Sequence, residues 1–415
     1  MMPQEPLSQN RSNQVQLGAT TLNNGDIRIE KIKLADLYDF ACKTIGNPSF
    51  KKAAPIPLIR ALSQSKNPYG RPDDVVLLVA YCGDQCVGYQ GLLPGLLKTE
   101  VQTSKVYWGM AWYVIPEYRR RGIGNRLLEE IKNTRIDYIT PQMTASAESV
   151  FRRAGYKDLG RLTYFQLRVD RLNFSAGFFD VIITFLSKKT TYPKVISSGL
   201  MRLNRLIYSI TKRVLYRLAW QSSQRRQKPN LRWKEVDQID ESVGVPLNRQ
   251  VRRPSFLRGV EVLNWMLKHP WLVPKSEKKT AVTNFYFSVT REMFTYVAIA
   301  INSSDSRRPK GFLVLSVSKK KTKTRVKILD FYLNDPEDLE IAAYLALRYA
   351  KVFLADRIDF PASLENYFKQ MTGFKKLIKK QSHLFMFYPA SSQSPLALNI
   401  GKIAFNYCDG DTAFT

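Results

Sequence analysis

Histidine and cysteine are scarce in this 415-residue chain, which has two of the first (His269, His383) and four of the second (Cys42, Cys82, Cys86, Cys408). So few ligands exclude a disulfide framework or a zinc-ribbon array; no metal site is expected, and the thiols fit a reducing compartment. Acidic residues are also few, 35 against 64 Lys and Arg, for a net charge of +29. That balance predicts attraction to anions (nucleotides, acidic glycans, nucleic acid or a membrane surface) without choosing among them. Long apolar runs are missing as well. The longest, residues 174–186, is broken by Asp180 and falls short of the ~20 residues a spanning helix needs. Residues 1–26 are polar and lack the apolar core of a signal peptide. The expectation is a cytoplasmic protein, either soluble or attached peripherally to the inner face of a membrane.

Core material, by contrast, is plentiful: 44% of the residues are hydrophobic and 12% aromatic, which excludes a mainly disordered chain. Patterning divides the sequence into five stretches. Residues 1–26 read as a flexible tail. Residues 27–170 alternate strand and helix signals, with a tight hairpin at Gly83-Asp84, and predict a mixed α/β layer. Residues 171–235 form a basic linker, with fourteen Lys or Arg and one acid, Asp180, over 171–234. Within it Leu203, Ile207, Ile210, Val214 and Leu218 recur at helical spacing between Arg202, Arg205, Lys212, Arg213 and Arg217, the pattern of an amphipathic basic helix. Residues 236–390 repeat the first unit in outline, with a strand expected at 284–289 and a helix ending at Gly373-Phe374 that mirrors the one ending at Gly155-Tyr156. Residues 391–415 show no pattern and read as a second tail. Trp265 reads as core, His269 as a helix end, and the lysines at 319–323 as a solvated hairpin tip.

The run with chemistry in it is Trp112, Tyr113, Val114, a stop at Pro116, then Arg119, Arg120, Arg121, Gly122, Ile123, Gly124 and Asn125 at the start of a helix. Glycines there let the backbone curl so that several N–H groups converge, and the positive end of the helix dipole adds to them, which favours a bound phosphate or pyrophosphate.

This run resembles the signature of the GNAT acetyltransferases, V-x-P-x-x-[Q/R]-x-x-G-x-[G/A], at Val114, Pro116, Arg119, Gly122 and Gly124. Ala147, Val150, Gly155 and Tyr156 resemble a second motif of the family, and Val87-Gly-Tyr-Gln-Gly91 its strand after the hairpin. The resemblance covers about residues 27–170. It implies an α/β fold of two GNAT-like mixed-sheet domains, 27–170 and 236–390, joined by the basic helical linker. It implies acetyl-CoA as co-substrate, with the backbone of Trp112, Tyr113 and Val114 on the pantetheine arm and the turn from Arg119 to Asn125 on the pyrophosphate. The thioester would lie where strands at 107–114 and 135–139 splay, open to direct attack by an amine.

Two departures leave the catalytic residues unassigned: Phe151 stands where many members carry an acidic Tyr, and Thr144 where the motif opens with Asn. No acid occurs over 101–116; Glu117 reads as a surface charge, Asp137 and Glu148 as structural. In the second unit the equivalent turn carries Asp335, Glu337, Asp338 and Glu340 and no glycine, so coenzyme binding is expected to be lost there, leaving that copy to help form the acceptor site. The expected activity is acyl-CoA-dependent N-acyl transfer, acetyl in particular, to a small or glycan-type amine held between the units. The alternative is a catalytically idle binding protein attached to an anionic membrane, nucleic acid or protein partner, with nucleic acid the less favoured. Aminoacyl transfer ranks third, because tandem-GNAT peptidyl transferases lack a good coenzyme turn.

Overall fold

Ile27–Lys33 (β1) pairs antiparallel with Val75–Cys82 (β2), and Leu37–Thr44 (α1) and Leu58–Gln64 (α2) lie between them in sequence. The hairpin turns at Gly83, whose φ of 56° suits a residue without Cβ, into Gln85–Lys98 (β3), followed by Thr103–Val114 (β4). Ile123–Lys132 (α3), Asp137–Thr140 (β5), Ala145–Arg153 (α4) and Lys157–Arg168 (β6) complete the first half. The chain continues through Pro193–Gln224 (α5), Leu231–Val236 (β7), Ser255–Phe256 (β8), Val260–Lys268 (α6), Val273–Pro274 (β9) and Thr290–Arg291 (β10). Met293–Ser303 (β11), Pro309–Lys320 (β12), Lys323–Leu333 (β13), Glu340–Val352 (α7), Arg357–Pro361 (β14), Glu365–Thr372 (α8), Ile378–Tyr388 (β15) and Pro395–Leu398 (α9) follow. This computed structural model describes residues 27–141, 143–172, 193–224, 230–242, 253–275, 285, 287, 290–305, 309–372 and 375–414. The expected tail at 1–26, the run at 174–186, most of the strand expected at 284–289 and the Gly373-Phe374 pair lie outside the described residues.

The α/β class is as expected, and each half carries the same core: β3-β4-β5 in one, β12-β13-β14 in the other, with a short parallel pairing at β4/β5 and at β13/β14. The halves do not keep separate sheets. Thirteen strands join in one mixed sheet, along β1-β2-β3-β4-β5-β15-β6-β14-β13-β12-β11-β7 with β8 on the side of β3. The final strand of each half lies against the other half: β15 sits between β5 and β6, while β6 sits between β15 and β14. β5 is four residues long and buried throughout, so both its backbone edges need partners.

The reading of 391–415 as a tail is corrected. Leu396, Ile403, Tyr407 and Phe414 are buried, Phe405 stacks on Phe385 at 4.5 Å, and Phe414 stacks on Trp271 at 4.1 Å. The segment seals one face of the shared sheet together with α6, where Trp265 is core as expected and its indole N–H donates to the Ser63 carbonyl. Its apolar residues follow neither helical nor strand spacing because most of it is loop, which explains why periodicity gave no signal.

The linker helix α5 docks on α7, burying Leu215, Tyr216 and Ala219. Lys212 donates to the Asp356 carboxylate (2.8 Å) and the Leu354 carbonyl (2.7 Å), and the Tyr208 hydroxyl donates to the same carboxylate (2.6 Å). The apolar stripe read from the sequence faces outward: Ile207, Ile210, Val214 and Leu218 are about half exposed.

Candidate functional site: the turn before α3 and the parting of β4 and β5

β4 pairs with β3 over nearly its whole length, but with β5 only at Val106, Tyr107 and Trp108. Beyond Trp108 one side of β4 has no partner strand. A bulge marks this point: Ala111 has φ 53°, and the register against β3 shifts between Tyr89 and Gly91. An extra residue reverses the alternation of faces. Trp108 and Met110 therefore face the side covered by α6, whereas Trp112 turns toward α3 and packs edge-on against Phe151, with ring centroids 5.1 Å apart. The buried Gln90 carboxamide donates to the carbonyls of Gly91 (2.8 Å) and Met110 (2.9 Å), pinning the bulge from inside.

The turn predicted as an anion site is built as its glycines require. Gly122 caps α3 in the left-handed region, φ 77°, and a Cβ there would meet nothing within 4 Å, so the cradle is open. Gly124 has the opposite constraint, since a Cβ would lie 2.7 Å from the Trp112 ring. Arg119 Nε donates to the Val114 carbonyl (3.1 Å), tying the turn to the end of β4, and the Arg121 guanidinium lies over Tyr118. Arg126 N–H is the first to donate back, to the Gly122 carbonyl. Among the described residues, the amides of Arg120, Arg121, Gly122, Ile123, Gly124 and Asn125 donate to no carbonyl or side chain. Six consecutive free N–H groups at a helix start fit a pyrophosphate. They adjoin the unpaired stretch of β4 that carries Trp112, Tyr113 and Val114, so the predicted cofactor residues share one place.

The acids considered in the first half do not. Glu117 lies near Lys52 on the surface, Glu148 pairs with Arg152 within α4, and Asp137 accepts from the Ala390 amide (2.7 Å), fastening the chain after β15 to β5. Burial raises the Asp137 carboxyl above its usual range despite those donors. Phe151 is buried and offers no hydroxyl.

Sequence reasoning missed a carboxylate from the far end of the chain. Gly410 abuts the Trp108 ring, and Asp411 next to it lies 3.9 Å from the Arg60 guanidinium, which itself touches the Met110 sulfur (3.7 Å) and stacks over Trp271 (4.2 Å). Burial raises the Asp411 carboxyl above the ordinary range, and Arg60 opposes the shift only in part. Its side chain keeps about a fifth of its exposure (22%). On the other face Tyr138 sits so close beneath Gly109 that only glycine fits. No local spacing could have signalled Asp411, which reaches β4 through a fold of the last two dozen residues.

The second half shows why its copy differs. Past Lys327, where β13 leaves β14, Asp330 carries a buried polar cluster: Arg258 lies 2.7 Å from Asp330 and 3.8 Å from Asp409, and Asn406 donates to Asp330. At the turn, Asp335 pairs with Lys310 and Asp338 is buried.

A search of curated proteins finds no match. Among solved structures the chain is similar to a GCN5-related N-acetyltransferase from Anabaena variabilis (12% identity, 88% of this chain and 73% of that one, TM-score 0.47). It is also similar to Saccharomyces cerevisiae N-myristoyltransferase with bound myristoyl-CoA (11% identity, 91% and 83%, TM-score 0.49) and to Eis1 from Mycobacterium abscessus (11%, 87% and 72%, TM-score 0.41). The family model of the acetyltransferase (GNAT) domain matches residues 73–158, the stretch from β2 through α4 that contains the Gly122 turn and the parting strands. The chain therefore carries a GNAT acetyltransferase domain.

Proposed function

We propose that the protein is an acyl-CoA-dependent N-acyltransferase that transfers an acetyl group to the amine of a small or glycan-type acceptor. The observation that carries this reading is the row of free amides at 120–125 opening onto the unpaired side of β4. Those amides would hold the coenzyme pyrophosphate and the β4 backbone at Trp112, Tyr113 and Val114 its pantetheine arm, approaching from the α3 face. Acyl-coenzyme A, when bound, would supply an activated thioester carbonyl, with the coenzyme A thiolate as leaving group. The β4 backbone beyond Trp108 keeps N–H groups available where negative charge develops on that carbonyl oxygen. Tyr138 under Gly109 and Trp112 against Phe151 narrow the gap, which suits a two-carbon acyl group.

The amine would enter from the opposite face, beside Arg60, Gln64 and Asp411. Asp411 is the general base in this reading, and its raised pKa makes it a stronger proton acceptor than an ordinary carboxylate. The second half thus supplies the acceptor side of the site through the segment ending at Phe414. Phe151 favours the idle-binder reading, because it cannot protonate a leaving thiolate; the two readings separate on turnover.

Calorimetry with acetyl-CoA should show binding, and an amine screen that follows thiol release should find turnover. Asp411→Asn should keep coenzyme affinity and lower kcat by about 10²–10⁴-fold. Absence of coenzyme binding by the folded protein would remove the assignment; binding without turnover on any amine would favour the binding-protein reading.

A further inference from the structure

The acyltransfer reading leaves the outward face of α5 unused. Leu206, Ile207, Ile210, Val214 and Leu218 are each about half exposed or more. At 100° per residue they fall within about a third of the helix circumference. The same helix buries Lys212, Leu215, Tyr216 and Ala219 on its other side, so the stripe remains outward while α5 is fully docked. Arg213 and Arg217 are exposed along the edge of the stripe beside Leu206, and among the described residues neither enters an ion pair. Across residues 171–234 the sequence carries fourteen cations and one acid.

We infer that this face of α5 is a docking surface for an anionic lipid bilayer. Charge complementarity selects the occupant: the arginines bordering the stripe call for a negatively charged partner, and a second copy would bring its own arginines against them. The stripe is aliphatic and lies on a convex helix. Among its described side chains there is no aromatic platform on which nucleic acid bases could stack, and Leu206, Ile207, Ile210, Val214 and Leu218 include none of the Trp or Tyr anchors that dominate protein interfaces. An apolar stripe with cations at its border suits the headgroup boundary, where aliphatic side chains enter the acyl region and arginines meet lipid phosphates.

Cosedimentation of the full chain with vesicles tests the inference. Binding is expected with vesicles containing about a third phosphatidylglycerol at low salt, with release as salt rises and little binding to phosphatidylcholine alone. Ile210→Asp/Val214→Asp alters only outward positions, should keep the wild-type melting temperature, and should abolish binding. Arg213→Gln and Arg217→Gln should each weaken it about fivefold. The inference is overturned if the wild-type chain ignores anionic vesicles at low salt, whether because another part of the chain or a second copy covers the stripe or because only nucleic acid binds. It is equally overturned if the double aspartate variant binds vesicles as well as the wild type does. None of these variants touches the coenzyme turn, so acetyl-CoA binding is a separate readout.

Discussion

Gly122 matters because of the space beside it as much as its φ of 77°. An Asp there would strain the left-handed cap and place a carboxylate among amides poised for phosphate. Calorimetry with Gly122→Asp should show coenzyme affinity lowered by several kcal/mol, on the order of one or two charge-assisted hydrogen bonds; unchanged affinity in the folded variant would refute the pyrophosphate assignment. Asp409 offers a test of a different kind. Burial pushes its carboxyl up to about 7, with Arg258 only partly offsetting the effect. The folded state therefore holds a proton that the unfolded chain releases near pH 4. The stability this contributes is fully present below about pH 4 and is lost as pH rises toward 7. Urea unfolding of Asp409→Asn across that window should show a flatter pH dependence than the wild type, since the amide mimics the protonated acid at every pH.

At the scale of elements, α5 was half legible. The amphipathic period over residues 203–218 predicted the helix, but the spacing did not tell which face packs, and its apolar stripe stays outward. The face that packs is marked by Lys212, Tyr208 and Tyr216, polar-tipped residues whose partners Leu354, Ala355 and Asp356 lie more than a hundred residues away. Hydrophobic spacing cannot distinguish a stripe meant for the core from one left outside, and a buried ion pair reads as surface until its partner is known. Lys212→Met should consequently cost more than any change in the stripe, about 3–5 kcal/mol for leaving Asp356 buried without its cation, measured by denaturant unfolding; a loss comparable to that of an exposed lysine would show that the pair does not hold α5 in place. The glycine turn before α3, by contrast, was legible as a piece of backbone, because everything that builds it, from Trp112 to Asn125, is contiguous in sequence.

The whole molecule is where local reading stopped. Both halves were visible as patterns, yet neither the exchange of β6 and β15 nor the return of Asp411 to β4 leaves a trace in spacing. Two expectations concern the whole chain. Titration should give one coenzyme per chain, because the second turn carries Asp335, Glu337, Asp338 and Glu340 and no glycine where a pyrophosphate would lie; a stoichiometry near two would refute this. A chain ending at residue 236 should fail to yield a soluble, cooperatively melting unit, since β5 and β6 would both lose β15; a sharp melt of that fragment in calorimetry would show the first half to be self-sufficient.

The position of β15 also orders events during synthesis. Ile139 pairs with Phe387, so roughly 250 residues must be translated after β5 emerges before its neighbour exists, about 10–50 s at ~5–20 residues per second. Throughout that interval the nascent first half exposes the unpaired backbone edge of β5 on the ribosome. Slower synthesis should therefore lengthen the time in which that edge can pair wrongly before β15 covers it.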